Sequence, residues 1–139
     1  MADITVTAGQ VGAVYPLKAD IRTYTAAAAI TAGQPVYIVA ASGTVGVADA
    51  NDSGKEQCEG IALNAAAIGQ AVDVLRAGEC YGFTLSGNYD SLAYLSDTAG
   101  SLADAAGTMT VIVGRVVPMN DSSKTKVLEV LKRPPTAWS

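Results

Sequence analysis

The chain is 139 residues long, the size of one compact domain, and half of its residues are hydrophobic. Only 16% are charged and 6% aromatic, whereas charged residues make up about 25% of an average globular domain. This apolar content excludes an intrinsically disordered chain. No apolar run reaches the roughly 20 residues that span a bilayer, so we expect no membrane partner. The net charge is −4, and residues 122–139 carry four of the nine cations, which leaves an acidic body and predicts no nucleic-acid partner.

The first residues hold no apolar signal-peptide core, and Asp3 precedes any cation. We therefore expect no secretory leader and synthesis in a cytosol, where Cys58 and Cys80 stay reduced. A buried position is the simpler interpretation of each cysteine. If the protein belongs to an extracellular particle, a disulfide between the two cysteines is the alternative.

Short runs of β-branched and apolar residues, separated by glycine-rich turns, dominate the sequence. Each run has the length of a strand rather than of a helix. In chain order, the predicted strands cover residues 4–7, 36–40, 45–48, 60–63, 71–75, 80–85, 93–95, 109–117 and 127–131. Residues 25–31, 64–69 and 101–107 are expected to be helical turns or compact loops. The sequence thus predicts an all-β fold, a small barrel or sandwich of about nine short strands with little helix.

Three segments are expected. Residues 1–24 combine an alternating strand with Tyr15-Pro16 and scattered charges, which indicates an extended N-terminal arm. Residues 25–133 form the predicted β-barrel domain. Arg133-Pro134-Pro135 cannot continue a central strand, so residues 134–139 are expected to form a C-terminal tail.

Motifs that carry chemistry are scarce. Without histidine, His-based triads and most zinc sites are excluded, and two cysteines cannot complete a tetrahedral zinc site. Residues 49–54 resemble a calcium loop, but position 60 is glycine where the bidentate glutamate belongs. Asp73 and Glu79 could serve as a glycosidase pair only within an aromatic cleft, which the composition disfavours. We predict no enzyme, no catalytic residue, no metal, no cofactor and no small-molecule substrate.

Partner contacts are instead expected near the two ends of the chain. Alternating apolar residues of a terminal strand are suited to strand addition, and tyrosine and tryptophan are enriched at binding hot spots. The residues predicted to contact a partner are Ile4, Val6, Tyr15, Arg22, Tyr24 and Trp138.

The cadence of glycine, alanine and valine from residue 30 to 131 resembles the small capsid decoration, or cement, proteins of tailed bacteriophages. The matching segments are ITAGQPVYI (30–38), GTVGVA (43–48), GIALNAA (60–66), AAIGQAVDVLRAG (66–78), YLSDTAGSL (94–102) and VGRVV (113–117).

This resemblance implies a β-barrel on the outer surface of the virion capsid, commonly a homotrimer at local three-fold positions. It would bridge copies of the major capsid protein and resist the pressure of packaged DNA. Two alternatives remain open: the base of a head fibre or a tail adhesin that binds a host surface, and a cellular β-barrel module that binds a small ligand or carbohydrate.

Overall fold

The computed structural model describes residues 3–119 and 126–131. Their fold is all-β, as predicted: a curled, antiparallel half-barrel sheet. The strands are β1 (Gly12–Ala13), β2 (Asp20–Thr25), β3 (Pro35–Ile38), β4 (Val45–Val47), β5 (Cys58–Ala62), β6 (Ala71–Tyr81), β7 (Leu92–Leu95), β8 (Leu102–Ala103), β9 (Ile112–Pro118) and β10 (Lys126–Val130). Helical structure in these residues is confined to two 3-10 turns, Ala8–Gln10 and Pro16–Lys18.

The long strand β6 organises the sheet because four strands pair with it. β2 and β5 pair with its first half, and β1 and β10 pair with its second half. β5 and β10 lie next to each other, since residues 58–60 and 130–131 line a common cleft. A strand has only two edges, so β1 and β2 follow one edge of β6 while β5 and β10 follow the other.

Two ladders extend from β6. One ladder has the order β5, β3, β4 and the other has the order β10, β9, β7, β8, and both start from the same edge of β6. Each outer strand also accepts a backbone hydrogen bond from a segment outside the two ladders, which shields part of its edge from pairing with other chains. The amide of Ala27 donates to the carbonyl of Val45 in β4, and the amide of Ile4 donates to the carbonyl of Leu102 in β8.

The apolar side chains form two clusters on opposite faces of β6. Alternate residues of a strand face opposite sides. Leu75 belongs to a cluster that includes Leu95 and Leu128, whereas Val72 and Val74 belong to a second cluster. The segment that follows β2 covers the second cluster with Ala26 and Ile30. The body of the protein therefore has apolar packing on both sides of its central strand.

The predicted arm lies along the sheet. The bridges Asp3↔Ala103 and Val6↔Phe83, together with β1 and β2, attach residues 3–24 to the rest of the fold. The boundary predicted after residue 24 falls inside β2, whose backbone pairs with β6 from Asp20 to Thr25. The predicted tail, residues 134–139, lies outside the described residues.

Several predicted elements differ in detail from the structure. The runs 71–75 and 80–85 were expected as two strands, but the first continues through Tyr81 as one strand. Residues 102–103 of a predicted turn pair with β7 as a strand. Cys58 and Cys80 are both buried and form no disulfide, and burial raises the pKa of the Cys80 thiol to about 11. Among the described residues, no helix is long and apolar enough to cross a membrane.

Candidate interaction surfaces

The connection between β1 and β2 projects an apolar side chain into solvent. We call residues Val14–Lys18 the Leu17 loop. Leu17 is fully exposed, and Tyr15 is 36% exposed. The loop is nevertheless held firmly: the amide of Val14 donates to the carbonyl of Glu79 at 2.9 Å, and the amide of Lys18 donates to the carbonyl of Tyr15 at 3.0 Å. Pro16 opens the 3-10 turn, where its fixed φ is favourable.

A small apolar pocket lies at the far end of the sheet, beside β7. We call it the β7 pocket; its volume is about 120 Å³. Its lining combines aliphatic side chains with the polar side chains of Ser86, Ser91 and Asp104. The lining residues are Ile4, Leu85, Ser86, Gly87, Ser91, Leu92, Ala93, Asp104 and Val116. The backbone bond from Ile4 to Leu102 holds the N-terminal segment at this pocket.

A cluster of polar side chains joins the three strands β2, β6 and β5. The Tyr24 hydroxyl donates a hydrogen bond to Oε2 of Glu59 at 2.5 Å, and Nε of Arg76 lies 3.1 Å from the same oxygen. Arg76 also pairs with Asp20 at 3.6 Å. The Glu59 side chain is only 8% exposed, so its charge is stabilised by two donors rather than by water.

This cluster changes the titration of Tyr24. Burial raises the pKa of the phenol to about 12, and the hydrogen bond and the negative charge of Glu59 add to the shift. The guanidinium of Arg22 lies over the Tyr24 ring, 5.4 Å from its centroid. The tyrosine is therefore a neutral hydrogen-bond donor. The arrangement of these side chains is typical of a structural network.

An open groove of about 330 Å³ lies between the N-terminal segment and the residues that end β6. Two aromatic rings, Tyr81 and Phe83, contribute to its wall together with hydroxyl, amide and ammonium groups. The polar lining residues are Thr7, Gln10, Thr84 and Lys126. This combination of rings and hydrogen-bonding groups is suited to a small polar ligand.

The carboxylates considered from the sequence are placed apart. Asp73 and Glu79 both lie on β6, six residues apart, which corresponds to about 20 Å along an extended strand. Glycosidase pairs are separated by about 5–9.5 Å, so these two cannot act on one bond. Residues 49–54 form a turn in which the amide of Asn51 donates to Asp49. Among the described residues, no group of three or more possible ligands could hold a metal ion.

The residues predicted to contact a partner fall into different environments. Ile4 lines the β7 pocket and Tyr15 belongs to the Leu17 loop. Val6 is half-buried and forms a bridge with Phe83. Arg22 and Tyr24 lie together on β2 beside Glu59. Trp138 lies outside the described residues. The structure thus brings Arg22 and Tyr24 together and separates them from the two apolar features at which Ile4 and Tyr15 lie.

The sequence interpretation missed the two most exposed aliphatic side chains. Leu17 is fully exposed and Ile68 is 73% exposed. Ile68 sits at the tip of the β5–β6 connection, where the amide of Gln70 donates to the carbonyl of Ala67. Each stands next to a turn former, Pro16 or Gly69. In the sequence, the exposure of these side chains was indicated by a large aliphatic residue directly beside a turn-forming proline or glycine.

No protein-family model matches the chain, and the comparisons with curated proteins and with solved structures find no match.

Proposed function

We propose that this protein is a capsid decoration protein of a tailed bacteriophage. In this role it binds the outer surface of the icosahedral head. There it joins neighbouring copies of the major capsid protein and stabilises the shell against packaged DNA.

The observation that carries a binding role is the exposure of Leu17 and Ile68 on firmly held connections. Large aliphatic side chains that project from ordered turns remain in water in the isolated chain, and burying each against a partner is favourable by about 1.5–3 kcal/mol. Both residues lie at tips of the fold rather than in its core. A surface with two such tips is suited to packing against other subunits.

The charged groups support the same role. Arg76 pairs with both Glu59 and Asp20 within the sheet, and Arg115 pairs with Glu129 at 2.6 Å and with Asp90 at 2.8 Å. Ionisable groups that form ion pairs within the chain contribute to the framework of a binding module. The resemblance over residues 30–131 favours the phage head among the surfaces that such a module could cover.

The copy number in intact particles tests this proposal. Quantitative mass spectrometry of particles purified from the phage that encodes this chain should give about one copy for each major capsid subunit. A ratio of a few per cent would favour a head fibre or tail adhesin instead. Absence from particles that contain the shell protein would reject both roles.

The groove beside Tyr81 and Phe83 favours the second candidate, a module that binds a small ligand or carbohydrate. Replacing Tyr81 by alanine removes one ring from its wall, so a bound glycan should lose affinity. Binding to an immobilised glycan set that is lost in Tyr81→Ala, and kept in Tyr15→Ala, would support this candidate. Equal binding by both variants, or no binding at all, would reject it.

A further inference from the structure

We propose that the turn at residues 67–70 binds an uncharged aliphatic segment of another protein, in the way in which a second, equivalent turn at residues 31–34 binds residues 6–11 of its own chain. We call these the Ile68 turn and the Ala32 turn. The inference concerns the chemistry of the partner's binding segment. Its test contains no capsid, so it can fail while the proposed function stands.

The two turns have the same backbone and the same side-chain cap. In each, the amide of a glutamine donates to the carbonyl of the residue three positions earlier. The side-chain oxygen of that glutamine accepts from the amide of the same earlier residue, at 3.0 Å in the Ala32 turn and at 2.9 Å in the Ile68 turn. The glutamines are Gln34 and Gln70, and the glycines before them, Gly33 and Gly69, have φ of 92° and 85°, a region that favours glycine.

The segments around the two turns are related by a pseudo-two-fold axis. The amide of Gly33 donates to the carbonyl of Ala62, and the amide of Gly69 donates to the carbonyl of Ala26, which is the same bond moved by 36 residues. The flanking strands repeat the relationship, because β2 pairs with β6 in the register in which β5 pairs with β3. The second apolar cluster contains three pairs of equivalent residues: Ala26 and Ala62, Ile30 and Ala66, and Val36 and Val72.

Only one of the two equivalent turns is covered. Val6 and Val11 pack on the glycine of the Ala32 turn, where a Cβ would overlap Cγ2 of Val6 and lie 3.1 Å from Cγ2 of Val11. Ala32 itself is 8% exposed. At the glycine of the Ile68 turn, no atom of the described residues lies within 4 Å of the Cβ position, and Ile68 is 73% exposed. The Ile68 turn therefore presents to solvent the surface that its counterpart buries.

The segment on the Ala32 turn indicates what the Ile68 turn binds. Within residues 6–11, the 3-10 turn Ala8–Gln10 lies between the two valines that contact one glycine. Because glycine has no Cβ, a β-branched side chain can approach its backbone closely. A valine seated on the glycine of the Ile68 turn would also bury apolar surface of the neighbouring isoleucine. Neither residues 6–11 nor residues 67–70 carry a charge, so we expect an uncharged partner segment with two valine-sized side chains.

A second copy of this chain is not the expected source of that segment. Residues 6–11 of each copy already cover the Ala32 turn of that copy. Their position is held by the amide of Thr7, which donates to the carbonyl of Gly82, and by the carbonyl of Thr5, which accepts from the amide of Thr84. A segment tethered within the same molecule binds at an effective concentration in the millimolar range. The binding segment therefore belongs to a different protein.

NMR titration of the ¹⁵N-labelled full chain with a peptide of residues 2–13 tests the proposal. This peptide carries both valines without the tether, and it should shift the amide signals of residues 67–70 saturably at millimolar concentration. The same peptide with Val6→Ser and Val11→Ser should give no such shift. In the protein, Ile68→Ser should weaken binding about tenfold or more, as expected for one buried aliphatic side chain. Leu17→Ser is the matched control, because it removes the other exposed aliphatic side chain, and it should keep the wild-type affinity.

Three results of this titration would overturn the proposal. One is the lack of a saturable shift at residues 67–70 at millimolar peptide. Another is equal affinity of the wild type and Ile68→Ser. The third is a shift confined to residues 31–34, which would show that the peptide exchanges with the chain's own segment at the covered turn.

Gly69→Asn tests the contact at the glycine separately from the isoleucine. Asparagine tolerates the left-handed backbone conformation, and the Cβ position at Gly69 is open, so the variant should keep the fold and its amide spectrum. The added side chain occupies the place of the partner's valine, and peptide binding should be lost. Binding with wild-type affinity would overturn the proposed contact.

Discussion

The Tyr24 hydroxyl donates a 2.5 Å hydrogen bond to the Glu59 carboxylate across the central strand β6. The two residues belong to β2 and β5, which flank β6 on opposite edges. This bond therefore ties the N-terminal strand to the body of the sheet. It also places a neutral phenol and a buried carboxylate in one network, which makes the network sensitive to mutation and to high pH.

Replacing Tyr24 by phenylalanine should lower the free energy of unfolding by about 1.5–3 kcal/mol, the usual value for a hydrogen bond to a charged group. The ring remains and only the donor is lost. Chemical denaturation of the variant measures the change. Tyr15→Phe serves as the control, because its ring lies in the Leu17 loop, and it should unfold like the wild type.

The pKa of Tyr24 predicts a loss of stability at high pH. The folded-state pKa of about 12 lies above the ordinary value of 10.0, so the folded state favours the neutral phenol. This contribution is complete below pH 10, and it is lost as the pH rises from 10 towards 12. The difference in unfolding free energy between the wild type and Tyr24→Phe should shrink over that interval. A constant difference would contradict the assigned pKa.

Arg76 should matter more to stability than Arg115, although each pairs with two carboxylates. Arg76→Met leaves the Glu59 carboxylate, with a side chain only 8% exposed, without its cation. We expect a loss of about 2 kcal/mol, because removing one partner of a buried ion pair is costly. Arg115→Met breaks pairs at the surface and should change the melting temperature little. Similar shifts in the two variants would contradict the prediction.

Gly114 should not tolerate even one added methyl group. It lies in β9 between β10 and β7, and a Cβ there would lie 2.3 Å from the carbonyl oxygen of Glu129. Backbone must move to relieve this overlap, so Gly114→Ala should cost about 3 kcal/mol. Gly12→Ala is the matched control, since nothing lies within 4 Å of its Cβ position. Thermal unfolding of the two variants distinguishes a close approach from a general intolerance of substitution.

Deleting residues 2–25 should abolish cooperative unfolding. The deletion removes β1 and β2, which leaves one edge of β6 unpaired and takes Tyr24 away from the apolar cluster that contains Val72 and Val74. A thermal melt followed by circular dichroism should be broad or absent. A sharp transition close to that of the full chain would show that the first 25 residues are a separable arm.

Local sequence was sufficient to predict the strands that are themselves rich in β-branched and aliphatic residues. The runs 109–117 and 127–131 are rich in valine and other β-branched or aliphatic residues, and β9 and β10 lie within them except for one terminal residue each, Pro118 and Lys126. The strand β2 carries no such signal, because Asp20–Thr25 has polar residues on both faces and most of its side chains are exposed. It is a strand because the backbone of β6, about 50 residues later, supplies its hydrogen bonds.

For the candidate surfaces too, the sequence indicated some of the residues, but only the fold showed their contacts and exposure. Tyr24 and Arg22 could be selected as notable residues, but their contact with Glu59 depends on strand register, which a sequence does not display. Ile4 was selected for its alternating pattern, and only the fold places it in a pocket with Leu85 and Val116. The exposure of Leu17 depends on how the β1–β2 connection leaves the edge of β6.

The sequence by itself determined the all-β class. Short β-branched runs between glycine-rich turns leave few other ways to pair the hydrogen-bonding groups of the backbone. It also determined the shortage of catalytic and metal-binding groups in the composition, above all the absence of histidine. The tertiary structure alone decided that the N-terminal segment belongs to the sheet and that Glu59 is neutralised within it. It also decided which apolar side chains face solvent. These features depend on contacts between residues far apart in the chain, whose pairing is selected by the packing of the whole sheet.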